Sequence, residues 1–321
     1  MKITIISYDN WGLNSKLVKE LQSEKEEHLI RHINFHKLNF RYPTFFHRIY
    51  NCFLKIFLKQ NLKHISYGKY IIDELQKNEK QDLIICIKGD FIDKNYIQKI
   101  KKHSKKTVAF FNDSASRCPN IKNVYSAFDH CFSFEKKDCY ELNMDFLTNW
   151  IITKPSPKNE FQYKISNVSS MDYRFNILAR IASELTNNEI SYKFIVLKNK
   201  KNYKSRFIEI IENKLSLQEI NELNHSSEIL LDINRDKQEG LSFRIFECLG
   251  YEKKIITTNQ DVKNYNFYHP ENILVIDKEH PKLIQAFFHQ KFNPIHKELT
   301  KEYTPVAWLN KITQSLYPNK S

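Results

Sequence analysis

The stretch EILLDINRDKQEGLSFRIFECLGYEKKIITTN, residues 228–259, decides the fold of this 321-residue chain. The apolar run EILLDI (228–233) predicts a buried β-strand, helical spacing over residues 242–249 predicts a helix, and KIITTN (254–259) predicts a second strand. A helix between two strands is the unit from which parallel sheets are built. The segment therefore predicts an α/β protein.

Two carboxylates flank the strand-to-helix turn of this stretch. Glu239 ends the loop, and Glu247 is expected two turns into the helix on about the same face, because eight residues is close to a multiple of the helical period. Gly240 lets the backbone approach a ligand closely, and the start of the helix favours an anionic phosphate. The pattern is typical of a pocket for a polyhydroxylated ligand. The alternative is a chance pair in a chain with 37 acidic residues.

Strands and helices continue to alternate outside this stretch, which favours parallel sheets covered by helices. The proline-containing segment ITKPSPKNEF (152–161) indicates a linker. The sequence therefore predicts two Rossmann-like halves, an N-terminal domain of residues 1–152 and a C-terminal domain of residues 153–302. Further strands are expected at 2–7, 29–34, 82–87, 107–111, 130–134, 163–170, 192–197 and 273–277, and further helices at 13–22, 67–76, 94–102, 174–185, 204–213 and 306–316.

The net charge of +13 has several explanations. Nucleic acid is not favoured, because neither a basic recognition motif nor an aromatic-studded strand is present. An anionic membrane surface or an anionic sugar nucleotide would account for the charge, and the alternative is a coding bias toward Lys, Asn and Ile. The six scattered cysteines form no CxxC pair, so we expect reduced core cysteines and no metal site. No apolar run approaches the roughly 20 residues of a membrane span, and the N-terminus does not resemble a signal peptide, so a cytoplasmic enzyme is expected.

The segment FRYPTFFHRIYNCFLKIFLKQNLKHI (40–65) predicts a basic amphipathic helix. Pro43 suits its first turn. Phe and Ile then recur at helical spacing, while Arg, His and Lys occupy much of the rest. Such a helix could lie on an anionic leaflet, with peripheral membrane contact through residues 43–60. The alternative is a helix packed on its own sheet with a solvated basic face.

The chain resembles the GT-B glycosyltransferases of bacterial lipopolysaccharide and capsule synthesis, in particular the CgeB-like and glycosyltransferase family 4-like groups. The resemblance rests on YDNWG (8–12), KGD (88–90), FFNDS (110–114), FSFEKKDC (132–139), YHPENILVID (268–277) and, most specifically, the 228–259 stretch with its E-x7-E pair. It implies two Rossmann-like domains facing across a cleft, with residues 303–321 crossing back to the N-terminal domain. It also implies transfer of a sugar from a nucleotide sugar to a glycan or lipid-linked acceptor, with retention. No Asp-x-Asp motif stands in a suitable loop, so we expect no metal, and no cofactor is expected. If the helix of residues 40–65 lies on the leaflet, the enzyme would act at the inner face of the cytoplasmic membrane.

The resemblance implies roles on the donor side. Glu239 would face the donor sugar, and Glu247 would accept hydrogen bonds from the ribose hydroxyls. Arg174 would lie against the diphosphate, for which a bidentate guanidinium is suited, or would be a solvated first-turn residue. Arg244 would contact the donor or form an ion pair with one of the two glutamates. Further donor contacts are expected from the backbone at Gly240, Leu241 and Ser242.

The resemblance also implies roles on the acceptor side. Asp113 would deprotonate the acceptor hydroxyl; alternatively the donor phosphate is the base, and Asp113 is a helix N-cap. Many GT-B enzymes carry a catalytic histidine in this region, where the present chain has Asn112 and Asp113. A non-catalytic GT-B-like protein that binds a nucleotide or an assembly partner is therefore the alternative function. Acceptor contacts are expected in the loop formed by Asp9, Asn10, Trp11 and Gly12.

Overall fold

A computed structural model describes residues 1–155, 160–199 and 204–317. The chain divides into two compact units. Unit 1 comprises Met1–Thr148 together with the end of the chain from Trp308 onward, and unit 2 comprises Asn149–Ala307. The sequence places these borders at 152/153 and 302/303. Part of the expected linker, residues 156–159, lies outside the described residues.

The described residues of unit 1 form a six-stranded parallel sheet with helices between its strands. The strands are β1 (Lys2–Ser7), β2 (Leu29–Asn34), β3 (Gln81–Ile87), β4 (Ser104–Phe111), β5 (His130–Ser133) and β6 (Asp145–Phe146). The helices are α1 (Leu13–Glu24), α2 (Phe45–Phe57), α3 (Leu62–Gln76), α4 (Lys94–Lys101), α5 (Ile121–Val124) and α6 (Lys136–Leu142). The spatial order is β2-β1-β3-β4-β5-β6, so the direction of winding reverses between β1 and β3.

The described residues of unit 2 form a second six-stranded parallel sheet. Its strands are β7 (Tyr163–Ser170), β8 (Tyr192–Leu197), β9 (Glu209–Ile211), β10 (Ser227–Asp232), β11 (Lys254–Thr257) and β12 (Ile273–Val275). Its helices are α7 (Phe175–Asn187), α8 (Leu217–His225), α9 (Phe243–Tyr251), α10 (Gln285–His289) and α11 (Lys297–Lys301). The order β12-β11-β10-β7-β8-β9 places the reversal between β7 and β10.

Continuous apolar runs explain why these strands are central. In a parallel sheet both faces are covered, so strands lose the alternation of apolar and polar residues. Strand β3 follows this rule: Leu83, Ile84, Ile85 and Ile87 have no exposed surface. Each unit has a buried core of its own, built on its sheet.

The prediction of a helix over residues 204–213 is wrong. Residues 200–203 lie outside the described residues, and residues 204–208 form no helix. Strand β9 follows and pairs in parallel with β8. Ile208 is buried, and apolar residues surround it in the sequence. This apolar cluster is so short that the spacing of its residues fits a strand as well as a helix. A hydrogen bond from Lys198 N to Ile211 O, at 2.8 Å, extends the pairing with β8. This pairing determines that the segment is a strand.

The last helix, α12 (Pro305–Leu316), begins in unit 2 and continues into unit 1. Thr304 caps its start, since Oγ1 accepts a hydrogen bond from Ala307 N at 3.3 Å. Trp308 is buried in unit 1, and its ring lies edge-on to that of Phe110 on β4, with ring centroids 5.5 Å apart. From Trp308 onward, the helix therefore belongs to unit 1. Among the described residues, no helix is long and apolar enough to cross a membrane.

Candidate functional site

The switch point of the unit 2 sheet carries a compact charged cluster. Arg174 immediately precedes α7, and its Nε donates to both carboxylate oxygens of Asp172, at 3.0 and 3.1 Å. Nη2 of Arg174 donates to Oδ2 of Asp172 at 2.8 Å, and Nη1 donates to Ile233 O, just beyond β10, at 2.6 Å. The guanidinium therefore links the carboxyl ends of two neighbouring strands. It is not a solvated first-turn residue.

A second arginine, which sequence reasoning missed, joins this cluster. Arg235 follows β10 and lies 3.2 Å from Oδ2 of Asp172. Burial lowers the pKa of Arg174, but the hydrogen bonds and charge of Asp172 outweigh burial and raise it above its usual value. Burial likewise raises the pKa of Asp172, and the two arginines more than offset this and lower it. Arginine keeps its charge in proteins, and the two arginines hold Asp172 in its charged form, so these three side chains together carry one net positive charge.

The loop that carries Glu239 is held by backbone and amide hydrogen bonds. Asn259, just beyond β11, donates from Nδ2 to Glu239 O at 3.0 Å and to Gly240 O at 3.3 Å. Asn234 donates to Gln238 O at 2.9 Å. The side chain of Glu239 is exposed. A fixed backbone and an exposed carboxylate are suited to contact with a bound ligand.

The start of α9 is anchored to the end of β10. Ser242 Oγ donates to Asp232 Oδ1 at 2.8 Å, and Thr257 Oγ1 donates to Oδ2 of the same carboxylate at 2.9 Å. The Leu241 side chain is buried in the core, so a ligand could meet this residue only through its backbone. Helix α9 begins at Phe243. Its amino end therefore lies at the same sheet edge as the arginine cluster.

Helix α9 starts at Phe243, so Glu247 lies about one turn into it. The prediction that Glu247 lies two turns into the helix is wrong. The residue is only 8% exposed, and Oε2 lies 3.4 Å from Nη1 of Arg244. Arg244 also donates to Asn224 Oδ1 at 3.0 Å and to Val168 O at 3.3 Å. The structure thus shows the ion pair between Arg244 and Glu247. The two further hydrogen bonds of Arg244 are made to residues of α8 and β7.

Helix α9 is also fixed to the segment that opens unit 2. Thr153 Oγ1 donates to Glu247 O at 2.9 Å. A Cβ atom at Gly250 would lie 2.2 Å from Thr153 Oγ1 and 2.6 Å from Thr153 O. Contacts this short do not occur between real Cβ atoms and their neighbours, so glycine is required where the two segments meet.

In unit 1, the loop after β1 is built around the start of α1. The carboxylate of Asp9 accepts hydrogen bonds from Ser15 N at 2.8 Å and from Ser15 Oγ at 2.6 Å. Gly12 has φ 79°, in the left-handed region that favours glycine. Trp11 is 37% exposed. Of the expected acceptor residues, Asp9 is thus engaged within the loop, and Trp11 is partly exposed.

A cluster of charges lies where β3 and β4 end. Asp113 pairs through Oδ2 with Lys88 and through Oδ1 with Arg117. It is not a helix N-cap, because α5 starts later and is preceded by Asn120. Both carboxylate oxygens of Asp113 are thus engaged by cations. The neighbouring Asp90 is 6% exposed, and burial, opposed by Lys88 and reinforced by Asp113, raises its pKa to about 6.

A polar cavity of about 270 Å³ lies in unit 1, between the end of α2 and the starts of α4 and α5. Burial, together with the charges of Lys63 and Lys55, lowers the pKa of its His64 to about 4, so this imidazole is neutral. The motifs quoted above gave no signal for this cavity. It is lined by Leu58, Lys59, Gln60, Asn61, His64, Ile92, Asp93, Lys94, Asn95, Asn120, Asn123 and Val124.

No protein-family model matches the chain, and no curated protein matches its sequence. Solved structures match over nearly the whole length. An α,α-trehalose-phosphate synthase (UDP-forming) from Burkholderia xenovorans, in complex with glucose-6-phosphate, has a TM-score of 0.59 at 11% identity, covering 98% of this chain and 99% of that one. A UDP-GlcNAc 2-epimerase from Neisseria meningitidis bound to UDP-GlcNAc has a TM-score of 0.51 at 10% identity, covering 99% and 100%. Another UDP-N-acetylglucosamine 2-epimerase has a TM-score of 0.52 at 13% identity, covering 99% and 96%.

At these identities the likeness concerns the fold alone. It extends over both units, each with a six-stranded parallel sheet whose winding reverses once. The predicted fold class is thereby confirmed: the chain has the GT-B fold, with two Rossmann-like units.

Proposed function

We propose that the chain is a glycosyltransferase that moves a sugar from a nucleotide-sugar donor to a lipopolysaccharide or capsule glycan acceptor. The observation that carries the proposal is the pair Arg174 and Arg235 at the switch point of the unit 2 sheet. In open α/β sheets, ligands bind outside the carboxyl ends of the strands at such a point. Guanidinium groups bind diphosphate oxygens well, because their donors form a planar fork.

The donor diphosphate would lie against this cluster and the amino end of α9. Asp172 balances one of the two arginines, which leaves a net positive charge for the phosphates. The exposed carboxylate of Glu239 would face the sugar, and Glu247 would accept hydrogen bonds from the ribose. Gly240, Leu241 and Ser242 would contribute backbone N–H groups, and Arg244 would position Glu247 through their ion pair.

In the reaction, the bond between the anomeric carbon and the donor phosphate oxygen breaks, and negative charge develops on the leaving diphosphate. Fixed positive groups at that place stabilise the transition state. The two arginines and the helix amino end supply such charge, so transfer is proposed to proceed without a metal. Since both oxygens of Asp113 are already paired, the donor phosphate is proposed to take the acceptor proton, with retention of configuration.

Two other functions use the same donor site. One is epimerisation of a nucleotide sugar, because two of the structurally similar proteins are UDP-GlcNAc 2-epimerases. The other is a non-catalytic protein that binds a nucleotide or an assembly partner. The three functions differ in their products, which makes them experimentally separable.

The deciding experiment incubates the protein with a panel of nucleotide sugars, with and without lipid-linked glycan acceptors and in the presence of EDTA. Acceptor-dependent release of nucleoside diphosphate, with a product whose anomeric configuration matches the donor by NMR, is the expected result. Conversion to a new nucleotide sugar without acceptor would identify an epimerase, and binding without turnover a non-catalytic protein. Activity lost with EDTA and restored by magnesium or manganese would contradict the metal-independent mechanism.

A further inference from the structure

Helix α2 exposes an unusually large apolar surface. Phe46 is the most exposed of its large apolar side chains, at 76%. Within α2, all of whose residues are described, the buried side chains are Asn51 and Leu54. The large apolar side chains exposed in and directly after the helix are Phe45, Phe46, Ile49, Tyr50, Phe53, Ile56, Phe57 and Leu58.

The apolar side chains share one face, which points away from unit 1. At roughly 100° per residue, those from Phe45 to Phe57 fall within an arc of about 140°. Asn51 and Leu54 lie on the opposite side. Asn51 joins that side to the segments that precede and follow the helix, since its Oδ1 accepts from Leu62 N at 2.7 Å and its Nδ2 donates to Tyr42 Oη at 2.8 Å. The outward direction of the apolar face is therefore set by packing. The alternative of a helix whose apolar face packs on its own sheet is wrong.

In the sequence around this face, every residue that is charged at neutral pH is a lysine or an arginine. Residues 28–72 contain eight Lys or Arg and no Asp or Glu, so this segment carries more than half of the net charge of +13. Arg48 and Lys55 are exposed and lie about 60–80° beyond one edge of the apolar arc, between that edge and Asn51. A composition bias toward lysine does not explain why acidic residues, 37 in the whole chain, are missing here.

We propose that α2 docks unit 1 on the surface of an anionic lipid bilayer. A wide apolar face with cations beyond one of its edges fits a helix that lies in the interface plane, and 13 residues are too few to span the bilayer. A second copy of the chain fits less well. A two-fold symmetric contact brings the same patch against itself, and here each patch carries uncompensated positive charge.

The proposal is tested by vesicle co-sedimentation, independently of any reaction. The protein is mixed with vesicles of phosphatidylcholine alone or of phosphatidylcholine with phosphatidylglycerol. Binding is expected to the mixed vesicles and to weaken with added salt, because salt screens surface charge. The variant Phe46→Ser/Phe57→Ser should bind about tenfold or more weakly, because two buried aromatic side chains are lost. Arg48→Gln/Lys55→Gln should lose part of the preference for the anionic vesicles, because it removes two of the eight cations of residues 28–72.

Matched controls change similar residues elsewhere on unit 1. Tyr140→Ser removes a more exposed aromatic ring, and Lys102→Gln/Lys106→Gln removes two exposed lysines. Both should bind like the unaltered protein, and circular dichroism checks that every variant is folded. Three outcomes overturn the proposal: no binding by the folded protein, equal binding to both kinds of vesicle, or a concentration-dependent dimer that Phe46→Ser/Phe57→Ser abolishes while vesicles remain unbound.

Discussion

Replacing Arg174 with alanine tests the proposed donor site directly. The guanidinium makes hydrogen bonds to the Asp172 carboxylate and to Ile233 O, and its side chain is 18% exposed. Without it, the half-buried Asp172 keeps Arg235 as its partner at 3.2 Å. The loss of a charged partner in such surroundings should lower the free energy of unfolding by about 1–3 kcal/mol. Urea denaturation measures this change.

The same change should weaken binding of nucleoside diphosphates. A hydrogen bond between charged groups contributes about 1.5–3 kcal/mol, which corresponds to a roughly 10- to 100-fold increase in Kd. Isothermal titration calorimetry with a panel of nucleoside diphosphates measures it. The affinity of Arg174→Lys for nucleoside diphosphates should lie between that of the unaltered protein and that of Arg174→Ala, because lysine keeps the charge but not the planar fork.

Arg180→Ala is the matched control. Arg180 lies on the same helix, α7, and donates to the backbone carbonyls of Lys278 and Glu279 at 3.4 and 2.7 Å. Its removal should leave nucleotide affinity unchanged. If folded Arg174→Ala binds every nucleotide as tightly as the unaltered protein does, the diphosphate does not lie at this cluster, and the proposed donor site is wrong.

Three further predictions concern other residues. Glu247→Ala should weaken nucleotide binding by about 1–3 kcal/mol through loss of the ribose contact, and unchanged affinity by calorimetry in a folded variant would rule that contact out. Trp308→Ala should lower the free energy of unfolding by about 3–5 kcal/mol, since it empties a buried aromatic site; a loss below about 1 kcal/mol in urea would show that α12 adds little to unit 1. Burial raises the pKa of Asp90 to about 6, so the folded state holds a proton that the unfolded chain releases above about pH 4, and stability falls as pH rises between these values. Asp90→Asn should therefore raise the melting temperature more at about pH 7 than at about pH 4, and an equal effect at both would contradict the assignment.

Strand positions were largely predictable, because buried parallel strands are continuous apolar runs bounded by polar residues. Residues 2–7, 29–34, 163–170 and 192–197 are strands with the predicted bounds. The helix predicted over 204–213 failed because a short apolar cluster fits either period, and the neighbouring strand β8 decides between them. Local sequence cannot supply that neighbour.

The charged cluster of unit 2 shows a second limit. The expected role of Arg174 came from its place after a strand, and nothing in the local sequence pointed to a second cation beside it. The second cation is Arg235, which is 63 residues from Asp172 in sequence and reaches it because β7 and β10 are adjacent in the sheet. Strand order, which the sequence did not predict, therefore decides which residues form the site.

The orientation of α2 was open for a related reason. Its periodicity predicted an amphipathic helix correctly, but amphipathicity does not say which face meets the protein. The answer lies in Asn51, a polar residue on the inner face, which bonds to Leu62 N and to Tyr42. Because asparagine is polar, the hydrophobic periodicity of the sequence cannot show that Asn51 lies on the inner face.

Gly250 makes the position of the helix that carries Glu247 sensitive to replacement of a single glycine. Because Thr153 approaches the backbone at Gly250 so closely, even a methyl group there would have to displace either α9 or the segment that opens unit 2. Thr153 is also bonded to Glu247 O, so the displacement would reach the carboxylate through the helix backbone. In a saturation mutagenesis library selected for nucleotide binding, position 250 should therefore tolerate almost nothing but glycine.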